Sequence, residues 1–415
     1  MSIFNSLGSN YDLSFALKAL LPNLSQVARL FHLEGELASR RVSFNKKNGL
    51  KKFLQDKYDG ETVLLFKGRE AITLALKILN LPKNSKVAIN GLTCYVVYHG
   101  IEEAGLRPVL LDIPKDDINF SPETLAHSLK ANPDIKVVIV QNTLGYPCEI
   151  EKISEICRDN NIILIEDLAH SAGGKYENGE EMGTVGDFAV LSFSQDKIVD
   201  AVSGGALIIR NKKYEKNKIA HFENPPLQKE LTDRLYPLFT YKIRKAYTVG
   251  LGKIIHFFLK ITQLLSTPMD DNLYKNFLLP NWYCGLIIFA FKNLNKDLEH
   301  RKKIAKIYKN NLDKKIIPDL IDKIDLSTNL RFPIFVENRN NLIDYLEKYN
   351  IFISDIWYDA PITPKKYLSK TDYEGECPNA EKISSLTLNL PTHKNISEKN
   401  AIFITERVNK WLKSS

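Results

Sequence analysis

Between residues 60 and 210 the chain alternates strand-length apolar runs with stretches of helical periodicity, and this limits its possible architectures more than any other feature. The runs 86–90, 108–113, 137–141, 162–165, 188–192 and 206–209 are rich in Val, Ile and Leu. Helical patterns lie between several of them. In 70–79, Ala71, Ile72, Ala75, Leu76 and Leu79 fall on one face, and in 149–157 Ile150, Ile153 and Cys157 do the same. Ser121 followed by Pro122 predicts a further helix start, with a hydroxyl cap and a proline in the first turn. Strands that alternate with helices form a mostly parallel sheet covered on both faces, so an α/β fold is expected.

Outside that region the pattern changes. Residues 1–60 read as an N-terminal helical segment broken at Pro22, and 61–230 as a large domain built on the sheet. Residues 231–280 read as a helical connection. Residues 281–415 read as a long helix, with Leu294, Leu298, Ala305, Tyr308 and Leu312 near one face, followed by a smaller C-terminal α+β domain. That domain is expected from the run 332–336, a helix over 342–349, the run 351–353 and a closing helix near 397–412.

The chemistry concentrates in 160–210. One strand ends in Asp167, with His170 three residues on, and another ends in Ser192-Phe193, with Lys197 five residues after the serine. In open α/β sheets ligands bind beyond the carboxyl ends of the strands, where these groups can converge. Pyridoxal phosphate chemistry needs such a set: a lysine that bonds to the cofactor and moves a proton, and a carboxylate for the ring nitrogen. Hydroxyls and backbone N–H groups at a helix start would hold the phosphate.

In this stretch the chain resembles the DegT/DnrJ/StrS family of pyridoxal-phosphate-dependent sugar aminotransferases. The residues that carry the likeness are Asp167-Leu168-Ala169-His170, Gly186-Asp187, Ser192-Phe193-Ser194-Gln195-Asp196-Lys197 and Gly204-Gly205. The resemblance implies that Lys197 is catalytic and bonds to the cofactor. It implies that Asp167 meets the ring nitrogen, His170 lies by the phenolic oxygen and Ser192 touches the phosphate. Upstream, Gly68-Arg69-Glu70-Ala71 stands where the family has its phosphate turn, with Arg69 in place of a hydroxyl residue. Asn90-Gly91-Leu92-Thr93 leads to the ring-stacking position, which Tyr95 or Cys94 would fill. Val202-Ser203 departs from the family's Gly-Glu, and Leu390-Pro391-Thr392-His393 resembles its closing element. A homodimer with shared sites is implied, with Asn276 or Asn281 reaching across; spacing back from Arg301 favours Asn276.

The expected activity is transfer of an amino group, from a donor such as glutamate, to a keto sugar linked to a nucleotide. A sugar dehydratase of the same fold would carry histidine in place of the lysine, and Lys197 is present. A non-catalytic relative remains an alternative, suggested by the altered phosphate turn. No GxGxxG follows an expected strand, which argues against a nicotinamide oxidoreductase. The formal charge of +8 comes from 57 Lys and Arg interleaved with 49 Asp and Glu, a pattern that does not suggest nucleic acid as a partner. Cys94, Cys148, Cys157, Cys284 and Cys377 are scattered without metal-ligand spacing, so no metal site is expected and a reducing, cytoplasmic setting suits them. No signal-peptide pattern opens the sequence.

The segment 231–268 is long and apolar for a connection. Within 247–265 the apolar residues are interrupted by Lys253, His256 and Lys260, which speaks against a membrane span. An interfacial helix on an anionic membrane is one reading. The apolar positions occupy more than one narrow face, however, and this favours burial on the protein's own core or at a dimer interface.

Overall fold

The computed structural model describes residues 2–20, 36–215, 222–267, 277–353 and 357–414, the side chains of 36–45 excepted. In chain order the first elements are β1 (Ile3–Phe4), α1 (Leu13–Leu20) and α2 (Glu36–Tyr58). The alternating region follows as β2 (Glu61–Leu65), α3 (Gly68–Ile78), β3 (Lys86–Asn90), β4 (Thr93–Cys94), α4 (Tyr95–Glu103), β5 (Arg107–Leu111) and α5 (Pro122–Ala131). It continues with β6 (Ile135–Val140), α6 (Ile150–Asp159), β7 (Ile163–Asp167), β8 (Phe188–Ser192) and β9 (Gly205–Ile209). Two helices come next, α7 (Leu227–Ala246) and α8 (Leu251–Ile261), then the long α9 (Asn281–Asn311). The remainder comprises β10 (Arg331–Phe335), α10 (Arg339–Glu347), β11 (Ile351–Phe352), β12 (Ile362–Thr363), α11 (Pro378–Leu386), β13 (Thr387–Pro391) and α12 (Glu398–Ser414).

Seven strands form one sheet in the order β2-β9-β8-β7-β6-β3-β5. β9 runs antiparallel to both β2 and β8, and the other pairings are parallel. Successive side chains of a strand point to opposite faces, so each strand feeds two cores. Ile89, Val137, Ile139, Ile165, Val190 and Leu207 pack on one face with Ala71, Ile72 and Ala75 of α3. Ala88, Val138, Val140, Leu164, Ala189 and Leu191 pack on the other with Ile150, Ile153 and Cys157 of α6. The α/β sheet expected from the sequence is therefore present. The start of α5 follows the expected chemistry too, with the Ser121 hydroxyl accepting from the Thr124 N–H at 3.2 Å.

A third core gathers the C-terminal elements, with Ile304 and Tyr308 of α9 meeting Phe332, Leu342, Leu390 and Val408. β10 pairs antiparallel with β13. The N-terminal segment departs from the helical reading of 1–60. β1 pairs in parallel with β11 (Ile3 opposite Ile351), which ties the chain's start to the C-terminal unit. The run Ile3–Phe4 is too short to show a period of two, so its strand character comes from the partner and not from local pattern.

The α7–α8 hairpin brings a second correction. Its far end is fastened, because the Ser266 hydroxyl donates to Asp233 at 2.5 Å and accepts from Lys229 at 2.8 Å. Yet of the α8 residues only Gly252 is buried. Of 249–265, Gly252 is buried and Leu265 is partly buried against the core, so the expected burial on the chain's own core is slight. α7 covers one side of α8, and the opposite side, equally apolar, stays exposed. Among the described residues no helix is long and apolar enough to cross a membrane.

Candidate active site

The parallel strands end together, and the polar residues singled out by the sequence stand at those ends. Asp167 closes β7, Ser192 closes β8 and Asn90 closes β3. Lys197 follows β8 on a loop whose backbone is held in an uncommon shape, with Asp196 at φ 61 and the β-branched Val202 at φ 71. Left-handed backbone at a β-branched residue persists only where surroundings enforce it, and it clusters at functional sites. Here the N-terminal segment supplies that enforcement. Ser6 and Ser9 donate to the Asp196 carboxylate, each at 3.1 Å, and Asn10 donates to the Lys197 carbonyl at 3.1 Å and to Asp200 at 2.9 Å. Tyr11 donates to Asp200 at 2.5 Å, and burial raises the Asp200 carboxyl to about 6.

The Lys197 ammonium group is disfavoured by burial, which lowers its pKa below the ordinary lysine value, although Cys94, Asp167 and Asp196 pull the other way. Its Nζ lies 3.2 Å from His170 Nε2. The other ring nitrogen, Nδ1, accepts from the Leu144 backbone N–H at 3.3 Å. Burial, with Lys197 and Arg331 nearby, holds His170 well below its usual pKa and therefore neutral. A neutral imidazole with an accepting Nδ1 carries its proton on Nε2, so His170 donates and Lys197 accepts. Burial and this contact both favour the free amine of Lys197, the nucleophilic form. Asp167 is close enough to Lys197 for each to act on the other's titration. Burial raises its pKa, while the Ala169 N–H (2.9 Å) and Lys197 oppose the rise.

A chain of hydrogen bonds leads away from His170. Tyr358 Oη lies 3.5 Å from His170 Nδ1 and accepts from Gln141 Nε2 at 3.0 Å. Gln141 Oε1 accepts from Thr93 at 2.6 Å. Trp357 stacks on His170, with ring centroids 5.3 Å apart, and lies 4.9 Å from Lys197 Nζ. Arg331 stands over the same indole at 5.4 Å. Its Nη2 is buried without a hydrogen-bond partner among the described residues, and its nearest carboxylate is Asp196 at 3.7 Å.

The start of α3 forms a second part of the site. A Cβ on Gly68 would lie 2.7 Å from the Ser192 Cβ, and one on Gly205 would lie 2.5 Å from Lys67 backbone atoms. Glycine at both positions lets the α3 N-terminus close on the ends of β8 and β9. The Glu70 carboxylate accepts from the Phe66 and Lys67 N–H groups, each at 3.1 Å, and burial raises it to about 8. The Lys67 side chain is buried and donates to Ser203 at 2.9 Å, and Ser203 donates to Asp233 of α7 at 2.7 Å. Burial first, then the Lys229 charge, lowers Lys67 to about 7.

Set against the sequence expectations, Lys197, Asp167 and His170 converge, and Gly68 and Ser192 meet one another. Arg69 is half-buried in the first turn of α3. The Tyr95 ring stacks on Tyr367 (4.7 Å) and His99 (5.5 Å), because it opens α4 and points into that helix's packing. Cys94, its neighbour, is among the residues that act on the Lys197 amine, with Asp167 and Asp196. Asn276 lies outside the described residues, and Asn281 is the first residue of α9. Sequence reasoning missed Arg331, Trp357, Tyr358 and the Ser6–Tyr11 clamp. Each reaches the site from far along the chain, and only the short distance between Ser6 and Asn10 hinted at a polar turn. The whole set suits a ligand with a group that condenses with an amine, a basic ring nitrogen for a carboxylate, and an anion for a helix start.

The model of the DegT/DnrJ/EryC1/StrS aminotransferase family matches residues 48–409. The chain is 22% identical to the GDP-perosamine synthase of Escherichia coli, over 87% of this chain and 88% of that one. It is 24% identical to the dTDP-3-amino-3,6-dideoxy-alpha-D-galactopyranose transaminase of Aneurinibacillus thermoaerophilus, over 83% and 84%. The fold matches an aminotransferase from Psychrobacter cryohalolentis with TM-score 0.69 at 15% identity, covering 97% of this chain and 98% of that chain.

Proposed function

The chain belongs to the DegT/DnrJ/EryC1/StrS aminotransferase family, and from that premise we propose that it moves an amino group from an amino acid to a keto sugar carried by a nucleotide, with pyridoxal phosphate held at Lys197. The observation that supports this reading is the buried amine of Lys197, 3.2 Å from His170, with its pKa lowered by burial and with Asp167 close enough to act on it. Pyridoxal phosphate, when bound, supplies an aldehyde that bonds to amines and a ring that withdraws electrons from the adjacent carbon. Lys197 would hold the group through its aldehyde and, when free, would take and return the proton at the reacting carbon. Asp167 pairs with the ring nitrogen and favours its charged form. Ser192 and the α3 N-terminus at Gly68 receive the phosphate.

Two features bear on the substrates. The buried Nη2 of Arg331, which makes no hydrogen bond among the described residues, suits the carboxylate of an amino donor such as glutamate, since arginine binds carboxylates through paired donors. The GDP- and dTDP-linked chemistry named for two relatives supports a nucleotide sugar as the acceptor. On the same reading the active unit is a homodimer, with Asn276 or Asn281 contributed across the interface.

Borohydride reduction of the cofactor-loaded protein, followed by peptide mapping, tests the site. The pyridoxyl label is expected on Lys197, and Lys197→Ala should lose both the label and the spectral change that glutamate produces. A label on another lysine would refute the assignment, and a loaded protein whose spectrum ignores glutamate and other amino acids would refute the activity.

A further inference from the structure

Helix α8 is apolar on two opposite sides, and the protein covers one. Gly252 is buried, with Ile255 and Leu259 half-buried beside it, on the side that meets α7. At 100° per residue, Leu251, Ile254, Phe257, Phe258 and Ile261 fall on the opposite side, and each is between 53% and 63% exposed. Val249 and Leu264 extend the stripe at its two ends. Seven of the thirteen large apolar side chains exposed among the described residues therefore lie in 249–264, too dense a cluster to be incidental surface.

Charge identifies what covers it. No Asp or Glu occurs between Asp233 and Asp270, whereas Lys242, Lys245, Lys253 and Lys260 are all exposed in that stretch. Lys253 and Lys260 flank the apolar stripe, both on the border that follows Phe257 around the helix. The remaining cations are engaged: Arg244 is held by the carbonyls of Leu7, Gly8 and Tyr11, and Arg234 pairs with Glu230. A two-fold contact of this face with a second copy would set these lysines opposite one another without an intervening acid. An anionic lipid surface answers both halves of the pattern, acyl chains for the stripe and phosphates for the lysines. The Ser266–Asp233–Lys229 clasp fixes the hairpin beforehand.

We propose that α8 docks the protein on an anionic lipid bilayer, lying in the interface with Leu251, Ile254, Phe257, Phe258 and Ile261 among the acyl chains and Lys253 and Lys260 at the phosphates. The helix lies on the membrane and does not cross it.

Flotation of the cofactor-loaded full chain with vesicles tests this. Vesicles of phosphatidylcholine alone are compared with vesicles holding about 30 mol% phosphatidylglycerol, at about 0.05 M and about 0.5 M salt. Wild type should float with the anionic vesicles at low salt, less at high salt, and little with the neutral ones. Lys253→Glu/Lys260→Glu alters only exposed side chains and should lower partitioning at least about 25-fold, from about fivefold per lysine. Ile254→Ser/Phe257→Ser/Phe258→Ser/Ile261→Ser should abolish it while light scattering shows the same mass as wild type. Absence of wild-type flotation at low salt, or equal binding by the charge-reversed pair, overturns the proposal. A smaller mass for the serine variant would do so as well, since it would make this face an interface between copies.

Discussion

In the strand-end crevice Lys197, Asp167 and His170 are polar groups held out of water, whereas on α8 five large apolar side chains are held in it. Burial of an ionisable group costs free energy unless partners or neutralisation offset it, and exposed apolar area costs about 25 cal/mol per Å². Both regions therefore carry a local cost that folding alone does not explain. In the crevice the cost shifts a protonation equilibrium, that of Lys197, toward the free amine. On the hairpin it leaves an adhesive face. The first is rigidly enforced by the Ser6–Tyr11 clamp and the left-handed backbone at Asp196 and Val202. The second needs only one clasp at its end.

The sharpest test of the crevice is Asp167→Asn. The amide keeps the shape and the Ala169 contact but removes the charge that acts on Lys197. The glutamate half-reaction should slow by about 10²- to 10³-fold, the scale of losing one preorganised electrostatic group. Thermal unfolding should stay near that of wild type, because the native carboxyl is itself disfavoured by burial. Near wild-type turnover would remove Asp167 from the mechanism.

His170→Phe sharpens the comparison further. The aromatic stack on Trp357 is preserved, but the donor to the Lys197 amine is lost. A hydrogen bond to the neutral form lowers a lysine pKa, so its loss raises it. One bond of ordinary strength corresponds to about half to one pH unit. The rate at which the cofactor-free protein takes up pyridoxal phosphate should therefore show its acid limb moved to higher pH by that amount, with the rate at neutral pH down by at most about tenfold. An unmoved limb would mean that His170 only fills space.

The same contrast explains what could be read from the residues in order. Asp167, Ser192 and Lys197 were legible because strand ends and short spacings are local, and because parallel strands deliver their ends to one edge. The sheet was legible for the same reason, apart from β2, whose five residues precede the first clear apolar run and lie at the edge beside the reversed β9. Arg331, Trp357 and Tyr358 were not legible, since more than 130 positions separate them from Lys197 and nothing local marks them. The ring position stayed open between Cys94 and Tyr95 because adjacent residues at a strand–helix junction share one local pattern, and only the packing of the Tyr95 ring on Tyr367 and His99 distinguishes them. On α8 periodicity counted the apolar positions correctly. It could not say that one of the two apolar sides of the helix would stay exposed.

The smallest expected effect is the most telling for that hairpin. Phe193 and Phe258 are chemically identical, but Phe193 is fully buried against Gly204 and Phe291, and Phe258 is 61% exposed. Phe193→Ala should cost about 3–5 kcal/mol, the transfer of the ring plus the cavity it leaves. Phe258→Ser removes few contacts and exposes no cavity, so its effect should stay within about 0.5 kcal/mol, a Tm change below about 2 °C. Thermal scans of both variants, without lipid and at equal protein concentration, read the difference directly. If Phe258→Ser fell as far as Phe193→Ala, the ring would be buried in the solution assembly and the exposed face of α8 would be a property of the isolated chain alone. An unchanged Tm instead means that nothing in the folded protein depends on Phe258, so its place on the surface must be explained by what lies outside it.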